Sequence, residues 1–197
     1  MSIKKLMFIF TVVIGSVAVM AVPAFAENSV KKSVSIDDPD IEVSEVLTFE
    51  EVVNEFTKDN GVSISEARMQ FLSAKGYAAT YRTLTSRFTV TSSYRPALKY
   101  YVETSEGGGF WGIIEVKNVS MDRSWNGLSK VFSGNVYTHL QNANQIYYQV
   151  DGDFYNNGTT TTSVELGLKI GEFANATFSA SNTSNHYQYI WTEGYYR

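Results

Sequence analysis

The sequence contains no cysteine, which removes disulfides, thiolate nucleophiles and cysteine-ligated zinc from consideration. Histidine is nearly as scarce. His139 and His186 stand alone, and neither sits in an H-E-x-x-H pattern, so zinc hydrolysis and a Ser-His-Asp triad lack their parts. No serine lies in G-x-S-x-G. The glycine-rich "GGGFWG" at 107–112 has no Lys-Ser/Thr after it and reads as a hairpin tip rather than a phosphate loop. Nothing in the chain calls for a cofactor.

A basic excess is also missing. The one long hydrophobic run is at the start, where Lys4 and Lys5 precede an apolar stretch from Leu6 to Val22. Pro23 and the small-x-small triplet Ala24-Phe25-Ala26 follow, the pattern of a signal peptide cleaved after Ala26 and not of a retained membrane anchor. Cleavage takes two of the 16 basic residues and none of the 20 acidic ones, leaving a charge of 14 minus 20, or −6. A chain of that sign has no field with which to collect phosphates, which excludes nucleic acid as a partner and disfavours anionic membrane surfaces. Export without cysteine fits a Gram-positive bacterium better than a eukaryotic secretory pathway. In such a host the four Asn-x-Ser/Thr sequons stay bare.

Residues 27–46 are polar and acidic and read as a flexible leader to the fold. Phe49, Val52, Val53 and Phe56 then recur at helical spacing. Thr48 with Glu51 forms a capping box, and Asn60-Gly61 supplies the stop. Ser63 with Glu66 caps a second helix whose apolar side is expected to hold Ile64, Ala67, Phe71 and Leu72, ending by Gly76. Two helices in 47–76 suggest a DNA-binding pair, but Glu50, Glu51, Glu55, Asp59 and Glu66 would repel phosphate. The pair is instead expected to pack on the rest of the chain, with a removable pro-segment (27–76) as the alternative.

From Tyr77 the texture changes to Thr, Tyr, Phe and Val with recurring turn residues and a single proline, Pro96. Strands are expected near 78–92, 97–104, 110–119, 130–140, 145–155, 159–171, 173–181 and 186–196. Leu84, Phe88 and Val90 alternate with Thr85, Arg87, Thr89 and Thr91. The fold class is therefore mainly β: an antiparallel β-sandwich or barrel over 77–197, preceded by a two-helix segment.

The stretch "YYQVDGDFYNNGTTTT" carries most of the polar interest. Ile146, Tyr148, Val150 and Phe154 share one strand face; Tyr147, Gln149, Asp151, Asp153 and Tyr155 share the other. A three-residue turn at Asn156-Asn157-Gly158 would pair Val150 with Val164 and Gln149 with Glu165, keeping core opposite core. On an extended strand Asp151 and Asp153 lie roughly 7 Å apart, whereas a calcium loop wraps its ligands inward, and Tyr155 stands where a ligand is needed. A metal site is not expected. Asp151, Asp153 and Glu165 could serve a hydrolase as a carboxylate pair, though an alternating sheet face is more often merely solvated.

Aromatic residues are abundant: 13 Tyr, 12 Phe and 3 Trp. Several tyrosines fall on polar strand faces (101, 137, 147, 155), and the tail "HYQYIWTEGYYR" crowds more together. Rings beside Asp, Asn and Gln suit a surface that grips glycan or protein, with Tyr147, Gln149, Asp151, Asp153, Tyr155 and Glu165 as the candidate ligand-binding residues. The partners expected are a cell-envelope glycan or an extracellular protein. The alternation in "TTTTSVELGLKIGEFANATFSASNTS" also suits a pore-forming hairpin, with Glu165, Lys169 and Glu172 toward a lumen.

The segments "SKVFSGNVYTHLQNANQIYYQVDGDFYNNG" and "GLKIGEFANATFSASNTSNHY" resemble small exported Gram-positive proteins classed as a domain of unknown function. The resemblance implies secretion and a β-rich fold, and it transfers no catalytic residue.

Overall fold

A computed structural model describes residues 34–35, 40–72, 76–163 and 166–197. The signal peptide expected over 1–26 lies outside these residues. The described chain is mainly β, with antiparallel sheets and two helices, arranged as helices, first sheet and second sheet.

The helices α1 (Phe49–Asn60) and α2 (Ile64–Phe71) form where their caps dictate. Glu51 Oε2 accepts from Thr48 N at 2.8 Å, and Glu66 Oε2 accepts from Ser63 N at 3.0 Å, so each box satisfies backbone donors at its helix start. The Ser63 hydroxyl, which donates to Glu66 Oε2 at 2.7 Å, and then the Ser63 N–H hold the Glu66 carboxyl below its ordinary value. Gly61 closes α1 in the left-handed conformation (φ 67°). Phe49, Val52, Val53 and Phe56 are buried, as their spacing predicts. On α2 only Ala67 and Phe71 are buried; Ile64 and Leu72 are exposed, because so short a helix presents just one narrow stripe to its neighbours. Phe56 and Phe71 meet Tyr101 edge-on, with ring centroids 4.9 and 6.0 Å apart, and this seats the pair on the first sheet.

That sheet runs β1 (Val34–Ser35), β2 (Ile41–Val43), β3 (Thr80–Arg87), β4 (Ala97–Gly107), β5 (Phe110–Asp122) and β10 (Leu168–Lys169), in this order. The segment expected to be a flexible leader thus contributes β2, which pairs with β3 and buries Ile41 and Val43. "GGGFWG" does form a hairpin tip, with Gly108 and Gly109 both at positive φ. A small ribbon, β6 (Ser124–Trp125) with β7 (Leu128–Ser129), leads into the second sheet.

The second sheet consists of β8 (Val131–Asn142), β9 (Gln145–Ser163) and β11 (Phe173–Tyr196). Here the expected turn at 156–158 does not occur. β9 runs straight through it, and the segments expected as strands 173–181 and 186–196 are likewise one strand, β11. Val150 faces Val136 and Thr192, not Val164. The reason is that alternation constrains faces, not partners: a partner strand long enough to span Asn-Asn-Gly converts a turn signal into an irregularity of a continuous ladder. The irregularity is shared with β11, whose Asn182 and Asn185 take positive φ.

β8 pairs on one edge with β9 and on the other with β11, while β9 and β11 also pair with each other. The ring of pairings is a coil of long strands, and its bend is filled by Phe132, Phe154 and Phe178. Gly134 and Gly152 face each other beneath Phe132. A Cβ on Gly152 would lie 2.4 Å from Ser133 O and 2.9 Å from the ring. The two sheets enclose one core that includes Leu84, Leu98, Tyr100 and Val119 on one side and Val136, Leu140, Val150 and Phe154 on the other. The arrangement is a sandwich, with a second apolar cluster under the helices.

Candidate functional site

Because side chains alternate, burying Ile146, Tyr148, Val150 and Phe154 obliges Tyr147, Gln149, Asp151, Asp153 and Tyr155 to face outward. The structure brings these five together on the outer face of the second sheet; Glu165 lies outside the described residues. Register then decides their neighbours. Tyr147 stands between His139 and Tyr195, Gln149 between Tyr137 and Glu193, Asp151 between Asn135 and Trp191, and Asp153 between Ser133 and Tyr189. Beyond Tyr137 and His139, β11 adds Asn175 and Phe173.

The rings form a stripe across the strands. Centroid separations are 5.3 Å for Tyr195–Tyr147, 6.0 Å for Tyr147–Tyr137 and 5.7 Å for Tyr137–Phe173. The Arg197 guanidinium caps one end, 5.0 Å from the Tyr195 centroid. Phe173 (64% exposed), Trp191 (54%), Tyr189 (50%) and Tyr195 (42%) keep large ring areas in water. Four such residues on one face exceed the scattered exposure ordinary to a soluble protein surface.

Polar groups between the rings are held in place. Tyr147 Oη donates to Glu193 at 2.6 Å, and ionising it would set two anions side by side, so its phenol is pushed up to about 12. Tyr189 Oη donates to Asp151 at 2.9 Å, which raises that phenol as well. His186 Nε2 lies 2.8 Å from Asp153, and its ring meets Tyr155 edge-on at 5.5 Å. Each carboxylate keeps a second oxygen for an incoming donor. The result is an open, curved face of fixed rings with acceptors between them.

Asp151 is exposed and Asp153 half-buried on this open face, and the cavities described below involve neither. Among the described residues no group of three or more His, Asp or Glu could hold a metal ion. Sequence reasoning reached the β9 half of the face but not His139, Phe173 or Glu193. Those residues join only through the long β9–β11 pairing. The crowding of rings in the tail was the one signal that pointed to Trp191 and Tyr195.

These features define a class of protein: a helix-capped antiparallel sandwich with an aromatic outer face. Comparison with protein-family models, curated proteins and solved structures finds no match to this chain.

Proposed function

We propose that the protein is an exported, non-catalytic binding module whose outer sheet face takes a cell-envelope polysaccharide. The carrying observation is the continuous ring stripe from Tyr195 through Tyr147 and Tyr137 to Phe173, flanked by carboxylates and amides. Sugar rings present apolar faces that stack on aromatic rings, while their hydroxyls donate to fixed carboxylate and amide acceptors. An open face with no enclosing cleft suits an extended chain better than a small enclosed substrate. The leader peptide read from Lys4 to Ala26 supports an extracellular setting.

Asp151 and Asp153 lie on an open face and line neither of the clefts described below, which argues against the hydrolase alternative. The pore-forming alternative needs a ribbon free to detach. Thr160 Oγ1 instead accepts from Phe132 N at 3.1 Å and from Arg123 Nη1 at 2.8 Å, tying the ribbon down.

Sedimentation with insoluble envelope preparations tests the proposal. The chain is expected in the pellet, and Tyr147→Ala with Tyr195→Ala is expected to lower retention on the order of tenfold or more. Unchanged retention of the double variant removes this face. Retention that survives enzymatic removal of the polysaccharide assigns the face to a protein partner instead.

A further inference from the structure

The helices cover only part of the first sheet. Past the end of α1 the same face continues as a polar cross-strand row, Glu42–Thr85–Lys99–Ser120, and a mixed one, Arg87–Ala97–Asp122. Two clefts of about 800 and 500 Å³ occupy this corner, and Asp59, Met121 and Arg123 line both. The walls are the α1–α2 turn, the sheet face and the β6–β7 ribbon.

Most charges in the corner are already matched. Lys99 Nζ sits 2.8 Å from Glu55 and also pairs with Asp59, which accepts from Tyr101 Oη at 2.7 Å. Asp122 accepts from Ser124 N at 2.9 Å. The two guanidiniums differ. Arg123 Nη1 donates to Thr160 Oγ1 (2.8 Å) and Lys130 O (3.2 Å), yet Arg123 has no carboxylate partner among the described residues. Its backbone is pinned by Tyr94 Oη, which donates to Arg123 O at 2.7 Å. Arg87 is stacked 5.0 Å from the Trp125 centroid; its Nη1 is buried with no hydrogen-bond partner, and its Nη2 is 3.8 Å from Glu42. Both guanidiniums line the smaller cleft, and neither has a carboxylate within hydrogen-bond distance among the described residues.

We infer that this corner is a second ligand site, for a small carboxylate-bearing, hydroxyl-rich molecule whose carboxylate is held by Arg123 and Arg87. Guanidinium forks match the planar carboxylate, and Thr85, Ser120, Ser124 and Ser129 line the smaller cleft with hydroxyls for the rest of the ligand. The volumes suit a molecule of sugar-acid size. A phosphate could use the same forks. Against Glu42, Asp59 and Asp122, a singly charged carboxylate meets less repulsion than a dianion. The site is independent of the outer face.

The test is an NMR titration of the ¹⁵N-labelled full chain with glucuronate, glucose and inorganic phosphate in turn. Glucuronate is expected to give saturable shifts at the Arg123 and Arg87 side-chain N–H groups and at residues 120–125. Glucose should give none, and phosphate should bind at least several-fold more weakly. Arg87→Gln and Arg123→Gln are each expected to weaken glucuronate on the order of tenfold, while Tyr147→Ala leaves it unchanged. Arg123 also ties the Thr160 segment, so if Arg123→Gln fails to fold, Arg87→Gln decides alone. Absence of saturable shifts, an equal response to glucose, or full affinity in Arg87→Gln overturns the site. Phosphate binding as tight as glucuronate overturns the carboxylate assignment.

Discussion

Tyr147 shows how a single side chain ties the fold to the proposed binding face. Its outward position follows from the burial of Ile146 and Tyr148, and its orientation from Glu193 across the β9–β11 ladder. A phenol that donates to a carboxylate resists ionisation, so in ¹³C-tyrosine NMR Tyr147 is expected to titrate at about 12. In Glu193→Gln the midpoint should fall toward the ordinary value near 10. An unchanged midpoint would mean that the bond does not form. Gly152 is the opposite kind of residue, mattering for what it lacks. A methyl there would strike Ser133 O and the Phe132 ring, and Gly152→Ala is expected to destabilise the fold by about 1–3 kcal/mol in urea unfolding. Nothing in the sequence marks Gly134 and Gly152 as opposite one another. Eighteen positions separate them, and only the β8–β9 register brings them together.

Elements were legible where the code is local. Both capping boxes, the α1 stop at Gly61 and the hairpin tip at 107–110 follow from neighbours within a few positions, and each appears where those neighbours place it. The faces of β9 were legible for the same reason. Its length was not. Asn-Asn-Gly carries a turn signal, but the outcome depends on whether a partner strand passes beside it, and β11 does. Cross-strand NOEs between Asp151 and Trp191 are therefore expected, and contacts between Val150 and Val164 are not. The arginine corner was hidden on the same ground, since Arg87 and Arg123 are distant in sequence and come to line one cleft only in the fold. The helix pair belongs to the fold through Phe56, packed on Phe71 and Tyr101. Phe56→Ala is expected to cost about 3–5 kcal/mol in urea unfolding, and a change under 1 kcal/mol would show the pair to be a loosely held appendage.

At the scale of the whole molecule, two apolar clusters, one between the sheets and one under the helices, must hold the chain without any disulfide. Several of the buried polar groups are phenols. Burial pushes the phenols of Tyr94, Tyr100, Tyr101 and Tyr196 up from their ordinary value, because it penalises the phenolate. Above pH about 10 the unfolded chain releases phenolic protons that the folded one retains, so stability is full below that value and falls as pH rises beyond it. The urea midpoint is expected to hold steady to about pH 9 and decline above 10; a flat profile to pH 11 would contradict the burial of these phenols. On this core the outer face of the second sheet is free to vary its chemistry, and it carries rings.

The most direct measurement of the central claim is residue-resolved NMR mapping with soluble fragments of envelope polysaccharide. Shifts clustered at Tyr137, Tyr147, Gln149, Trp191 and Tyr195, and lost in Tyr147→Ala with Tyr195→Ala, are the predicted result. Binding that leaves those residues unmoved, or no binding to any envelope fraction, would contradict it.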